Sequence, residues 1–413
     1  MIEITRERAP KPARDVVYGI YRDGDNNLDH VQAATVADAQ RASKNNPNIA
    51  FAVENTTHEG ARGNGALHTE DGVILHGDAR WSSRDAANMA SPQELARFVE
   101  RTLETAHTRG GQQSVWIELV DHGGGDGGGL EADSTHGMMS MPAMAQAIAA
   151  GTQAYNKLHP DDTRKVEGVV ANQCLMSTLG FAEELSRAGV KYLAASPETM
   201  IAPGVPSGAV AQAVQQGGDP QSLAHGIVDA VMDRSYGVDG MPYRPAAAFN
   251  VLDLAPEKIA AMERAVRAVN DDIAALPRDA GGDLAAHAVD KDGAHVPGMT
   301  RFVEDHGLPW RADRPAEALY NRLADDARLP QRLRQDAAAA AQAVDGMVLA
   351  DRETSHFEPG DVSYRDAAGP TVHFPVNPRQ YDAWAKNGIS ETDNHFYKAV
   401  DGRDAAQRLG AVA

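Results

Sequence analysis

The sequence predicts an α/β protein, a three-layer α/β/α sandwich with a mostly parallel central sheet, followed by a largely helical C-terminal subdomain. Three observations carry that prediction. Through the first 250 residues, short β-branched or apolar runs alternate with amphipathic stretches, as in a sheet covered by helices on both faces. Beyond about residue 255, Ala- and Arg-rich helical segments dominate. A chain of 413 residues with 42% hydrophobic content also has ample material for a large core. The predicted organisation is an extension over 1–14, an α/β unit over 15–255, and a helical unit over 256–413 whose late strands pack back on the first unit.

Six runs have the length and composition of buried strands: DVVYGIY (15–21), NIAFAVE (48–54), SVWIELV (114–120), VEGVVAN (166–172), KYLAAS (191–196) and AAAFNVLDL (246–254). Helices lie between them. The one starting at SPQELARFVERTLETAH opens with Ser91 and Glu94 in capping-box spacing. GALHTEDGVILHG reads as a hairpin turning on Asp71 and Gly72. In the second unit, PEKIAAMERAVRAVNDDIAAL and QRLRQDAAAAAQAV are helical, a Gly- and Asp-rich connector runs near 279–299, and β character returns in GMVLADR and TVHFPVN. TVHFPVN is placed either as an added strand of the main sheet or as a cover over the crevice.

The net charge of −19 disfavours a nucleic-acid backbone or an anionic membrane as partner and suits a cationic one, although excess acid also simply solvates a chain. Oligomeric state is not readable. The only cysteine, Cys174, excludes an internal disulfide. No apolar stretch of signal-peptide or membrane-span length occurs, so the default expectation is cytoplasmic, with export by another route left open.

Ligands of open α/β sheets bind at the carboxyl ends of the strands. SVWIELV ends at Asp121 and His122, and VEGVVAN ends at Gln173 and Cys174. If those strands are neighbours, an imidazole and the only thiol face one crevice. A thiolate is a strong nucleophile, and a nearby histidine can take its proton and return it to a leaving amine. In LVDHGGGDGGGLEAD, Gly123 would let its N–H approach a substrate carbonyl and, with the N–H of Cys174, hold an oxyanion. Plainer readings stand beside this one. A lone cysteine is commonly a small buried hydrophobe. GGGDGGG matches no phosphate-binding motif, and a zinc site on His122, His136 and Cys174 lacks close ligand spacing.

VVYGIYRDGDNNLD, VDHGGG, LEADSTHGMMSMPAMAQAI, NQCLMSTLGFAEELSRAGVKYLAASPE and GPTVHFPVNPRQYDAW occur in that order from about residue 15 to about 385. Together they resemble the clostripain family of cysteine peptidases, whose relatives include caspases, legumain, gingipains and separase. The 52-residue separation of His122 from Cys174 also agrees with the spacing of about 50 in caspases. The resemblance implies a caspase-like fold, His122 as catalytic histidine, Cys174 as nucleophile, and peptide cleavage through a thioester acyl-enzyme without an obligatory cofactor. Asp25 or Asn26 could orient the imidazole, the alternative being an Asx turn capping the helix near Leu28.

Relatives often carry an acid two positions before the nucleophile, where this chain has Asn172, and an aromatic wall where it has Val205. The residue preferred before the scissile bond is therefore basic by family default but uncharged polar or small by the local residues. Ser196 and Glu198 join Asn172 and Val205 as candidate substrate contacts, and Asp126 and Asp133 are further acids expected at the rim. The resemblance also allows calcium, through carboxylates of RDGDNNLD or GDGGGLEAD, although neither fits an EF-hand. It allows self-cleavage between the two catalytic residues, where Lys157, Arg164 and Lys165 lie. Two other functions compete: a peptidase-like binding module or pseudoenzyme on the same scaffold, and a hydrolase of small amides or thioesters.

Overall fold

The computed structural model describes residues 14–32, 34–58, 65–132, 137–200, 204–233, 248–277, 280, 313–353, 369–375 and 394–409. Its centre is a nine-stranded sheet. The strands are β1 (Asp15–Arg22), β2 (Ile49–His58), β3 (Leu67–Leu75), β4 (Asp78–Asp85), β5 (Gln113–Val120), β8 (Gly168–Asn172), β9 (Tyr192–Ala195), β10 (Ala248–Asp253) and β12 (Val348–Glu353), in the spatial order β12-β10-β9-β8-β5-β1-β2-β3-β4. Between β5 and β8, β6 (Gly129–Ala132) pairs with β7 (Gly137–Met139) in a separate small ribbon. The middle five strands are parallel, and each edge is finished by two antiparallel strands.

The parallel strands read as unbroken apolar runs because both of their faces are covered. Val115, Ile117 and Leu119 of β5 point into one core, while Trp116 and Val120 point into the other. The first core lies under α3 (Pro92–Arg109), α4 (Met141–Leu158), α5 (Leu179–Arg187) and α8 (Pro256–Ala274); the second lies under α2 (Ala34–Asn45), α6 (Ser207–Gln216) and α7 (Pro220–Met232). A single-turn helix, α1 (Asp29–Gln32), follows β1. The late helices α9 (Ala316–Asp325), α10 (Gln331–Asp345), α11 (His395–Val400) and α12 (Arg403–Leu409) add residues to the first core. Segments on both sides of residue 255 thus build one hydrophobic interior.

All six expected strands form. Three local expectations change. GMVLADR, not TVHFPVN, joins the main sheet, pairing with β10 as β12. TVHFPVN supplies β13 (Thr371–His373), which pairs with β11 (Asp313–Pro315) in a separate ribbon and bridges to Thr178. Asp71 and Gly72 do not turn. They lie inside β3, where Gly72 makes room for the Trp81 ring, and the turn falls at His76 and Gly77, both with positive φ, as a tight hairpin connection requires. Ser91 does cap α3, but its side chain makes no capping bond: its hydroxyl donates to Gln93 Oε1 at 2.9 Å, and the Glu94 carboxylate is drawn to Arg84 and Arg97. Among the described residues, no helix is long and apolar enough to cross a membrane. Apart from residue 280, the 279–299 connector lies outside the described residues.

Candidate active site

The chain order reverses between β1 and β5: it leaves β1 toward β2 on one side and returns as β5 on the other. Such a switch point opens a crevice at the carboxyl ends of the strands. β1, β5 and β8 are consecutive parallel neighbours, with Arg22 opposite Val120 and Val120 opposite Asn172. Pairing continues one residue further, through the Asp23 N–H to Val120 O (3.1 Å) and the Asp121 N–H to Asn172 O (3.4 Å). Asn27, His122 and Cys174 follow these three ends.

The segments bearing His122 and Cys174 touch. The Gln173 side-chain amide donates to His122 O at 2.8 Å. A Cβ on Gly123 would run into the Cys174 carbonyl oxygen and stand 3.0 Å from its nitrogen, so glycine is needed for the two backbones to lie this close. The glycine run beyond is a folded turn. It contains a 3₁₀ helix at Gly125–Gly127, the Gly124 N–H donates to Gly128 O at 2.8 Å, and Gly128 adopts φ +94° where a side chain would strike Met139 O. Asp126 is buried there, with the Tyr397 hydroxyl donating to its carboxylate, so it does not stand on the rim as expected.

His122 Nε2 lies 2.8 Å from Asn27 Oδ1. That oxygen only accepts, so Nε2 carries the proton and Nδ1 is the basic nitrogen of the neutral ring. The sequence offered Asp25 or Asn26 for this role, and the contact instead belongs to the next residue along. Asn26 donates to Asp121 Oδ1 (2.5 Å) and Glu131 O (2.9 Å), and its Oδ1 accepts the Leu28 N–H (2.9 Å), the Asx turn that was the alternative reading. The Asp25 N–H donates to Asp23 Oδ1 at 2.9 Å. Asp121, beneath the histidine, is pushed well above the usual carboxylate range by burial and by Asp23.

Cys174 is half-buried, and the Met200 N–H donates to its Sγ at 3.3 Å. The next residue, Leu175, holds φ +67° and gives its N–H to Glu198 O at 2.9 Å. A left-handed leucine costs about 1–3 kcal/mol, stored where the chain turns sharply after the cysteine. Burial pushes the thiol pKa up, the Met200 N–H pulls it down, and Asp121 and Glu198 push it up again; the net shift is upward. The resting group is a thiol.

Three of the four candidate substrate contacts spend their polar groups internally. Asn172 donates to Glu118 Oε1 (2.8 Å), and its Oδ1 accepts the Val205 N–H (3.0 Å). Ser196 Oγ donates to Glu198 O (2.9 Å) and accepts the Glu198 N–H (3.0 Å). Val205 is buried. The carboxylate of Glu198 differs: it is fully buried, and neither oxygen has a hydrogen-bond partner among the described residues. Burial raises its pKa well above the usual carboxylate range. Asp133 and His136 lie outside the described residues. Sequence reasoning passed over Asn27, Gln173 and Glu118, the last a lone acid inside an apolar strand run and the one signal among them that could have been noticed.

No protein-family model and no curated protein matches the chain. Solved structures do. A secreted C11 cysteine protease of Bacteroides thetaiotaomicron is 14% identical, with 95% of this chain and all of that chain covered at a TM-score of 0.59. The structure of a secreted C11 cysteine protease from the same organism with an irreversible peptide inhibitor is 12% identical, covers 94% and 99%, and reaches 0.61. An inactive zymogen C11 protease of Parabacteroides distasonis is 13% identical, covers 94% and 99%, and reaches 0.57. Over nearly its whole length, the chain has the caspase-like α/β/α fold of these proteases.

Proposed function

We propose that the protein is a clostripain-like cysteine endopeptidase in which Cys174 is the nucleophile and His122 the general base. The observation that carries the reading is the contact of the two strand ends, with Gly123 against the Cys174 backbone and Gln173 bonded to His122 O. Because the thiol rests protonated, His122 Nδ1 takes the proton as Sγ attacks the scissile carbonyl carbon. The N–H groups of Gly123 and Cys174 hold the oxyanion. As the C–N bond breaks, the imidazolium gives that proton to the leaving amine. Water then hydrolyses the thioester with the same histidine as base. Asn27 keeps the imidazole in the tautomer this requires.

The substrate is a polypeptide, and the residue before the scissile bond is basic. Asn172 has committed its amide, whereas Glu198 is a buried carboxyl whose charge has no counterpart among the described residues. Burial keeps it protonated until a guanidinium or ammonium group supplies that counterpart.

The raised thiol is the one observation that suits a binding scaffold without activity. Cleavage of a peptide library separates the two. Turnover concentrated after Arg or Lys supports the proposal, turnover at other residues removes the role of Glu198, and binding without product removes the enzyme.

A further inference from the structure

α3 and α4 end where β5 and β8 begin, at the edge of the sheet opposite Cys174. Glu104 and His107 stand one turn apart on the last turns of α3, and His159 caps the end of α4. A carboxylate oxygen of Glu104 and one ring nitrogen from each histidine lie within 4.8 Å of one another. The imidazole rings are 4.2 Å apart between centroids, and His159 Nε2 is 2.7 Å from Glu104 Oε2.

We propose that Glu104, His107 and His159 bind a divalent transition-metal ion of the zinc class, with a fourth position left to solvent. Two imidazoles and one carboxylate are a donor set that such ions prefer and that Ca²⁺ and Mg²⁺ do not. The surroundings are built for it as well. His107 Nδ1 is 2.7 Å from Asp162 Oδ2, so Nδ1 donates and Nε2 offers the lone pair, the carboxylate–histidine arrangement that holds metal-ligating imidazoles. Asp162 is itself fixed by Arg164 Nε (3.0 Å) and the Tyr155 hydroxyl (3.2 Å). The ion takes the place of the direct hydrogen bond between His159 Nε2 and Glu104 Oε2. It ties α3 to the end of α4 and to the connection that leads into β8. That clips the interval between His122 and Cys174, where Lys157, Arg164 and Lys165 lie.

The test is titration of the full-length Cys174→Ala protein with Co²⁺, which leaves no thiolate to capture the metal. One equivalent should give saturable visible absorption of a four- or five-coordinate ion, displaced by Zn²⁺ and abolished in His107→Gln and His159→Gln. Glu104→Gln should weaken it at least tenfold. Zn²⁺ should raise the melting temperature of the parent but not of His159→Gln, while the metal-free melting temperatures of the two agree, which separates lost binding from misfolding. Absence of a saturable signal, its survival in both histidine variants, or its loss in His122→Ala alone would overturn the proposal.

Discussion

Glu54 and Glu198 are both fully buried, yet their surroundings are opposites. Glu54, on β2, meets Arg84 at 3.0 Å, Arg97 at 2.9 Å and Arg101 at 3.3 Å, and the same arginines reach Asp71 on β3 and, for two of them, Glu94 on α3. Burial alone would raise Asp71, but Arg101, Arg97 and Arg84 outweigh it and hold it below the usual range. Glu54 itself is lifted to about 8 by burial and by Glu94, against the pull of Arg101 and Arg97. At Glu198 nothing opposes burial, and no donor among the described residues meets its oxygens. One cluster fastens an edge of the sheet to a helix. The other withholds its compensation beside the cysteine, as expected where a ligand is to supply it.

If the carboxyl ends of β5 and β8 do chemistry, Cys174→Ala and His122→Ala should each lower kcat/KM by roughly 10⁴-fold or more, with unchanged urea midpoints. Retained turnover in either would break the comparison at its functional side. Its structural side is broken by Arg101→Ala, which removes contacts to Glu54, Asp71 and Val53 O. A loss of about 1–2 kcal/mol in urea unfolding is expected, because Arg84 and Arg97 still meet both carboxylates.

A pH series sharpens the contrast further. Burial raises Glu118 to about 7, against the pull of the nearby Ser207 and Tyr18 hydroxyls and the bond from Asn172 at 2.8 Å, which favour its charge. The folded protein therefore binds the extra proton. Stability is fully present below the unfolded value near 4.5 and falls as pH rises through about 7, by on the order of 3 kcal/mol. Glu118→Gln should flatten that fall and still accept from Asn172. Glu198→Gln should leave unfolding unchanged or slightly stabilised while lowering kcat/KM roughly 10- to 100-fold for basic peptides only, which is read from paired Arg and norleucine substrates. The smallest effect is Asn27→Ala, for which a loss of about tenfold in kcat is expected, with Asn26→Ala lowering stability instead because it anchors Asp121.

What the sequence discloses follows the range of the forces involved. The strands were legible because burial on both faces writes an unbroken apolar run, as in SVWIELV. β4, DARWSSRD, escaped because it is an edge strand with mostly exposed side chains and no apolar period. His122 and Cys174 could be paired because both end such runs. Asn27 could not be told from Asn26, since which of two adjacent amides turns toward the ring depends on the Asx turn that only tertiary contacts fix. The arginine cluster was hidden for the same reason: its members come from four elements, and it took Glu94 away from the capping role that local spacing gave it.

The most direct test of the account is mass-spectrometric mapping after reaction with a peptidyl ketone electrophile carrying Lys or Arg next to the reactive group. The account predicts one adduct, on Cys174, formed by the folded protein and lost in His122→Ala. An unmodified Cys174, or an adduct formed at the same rate without His122, would contradict it.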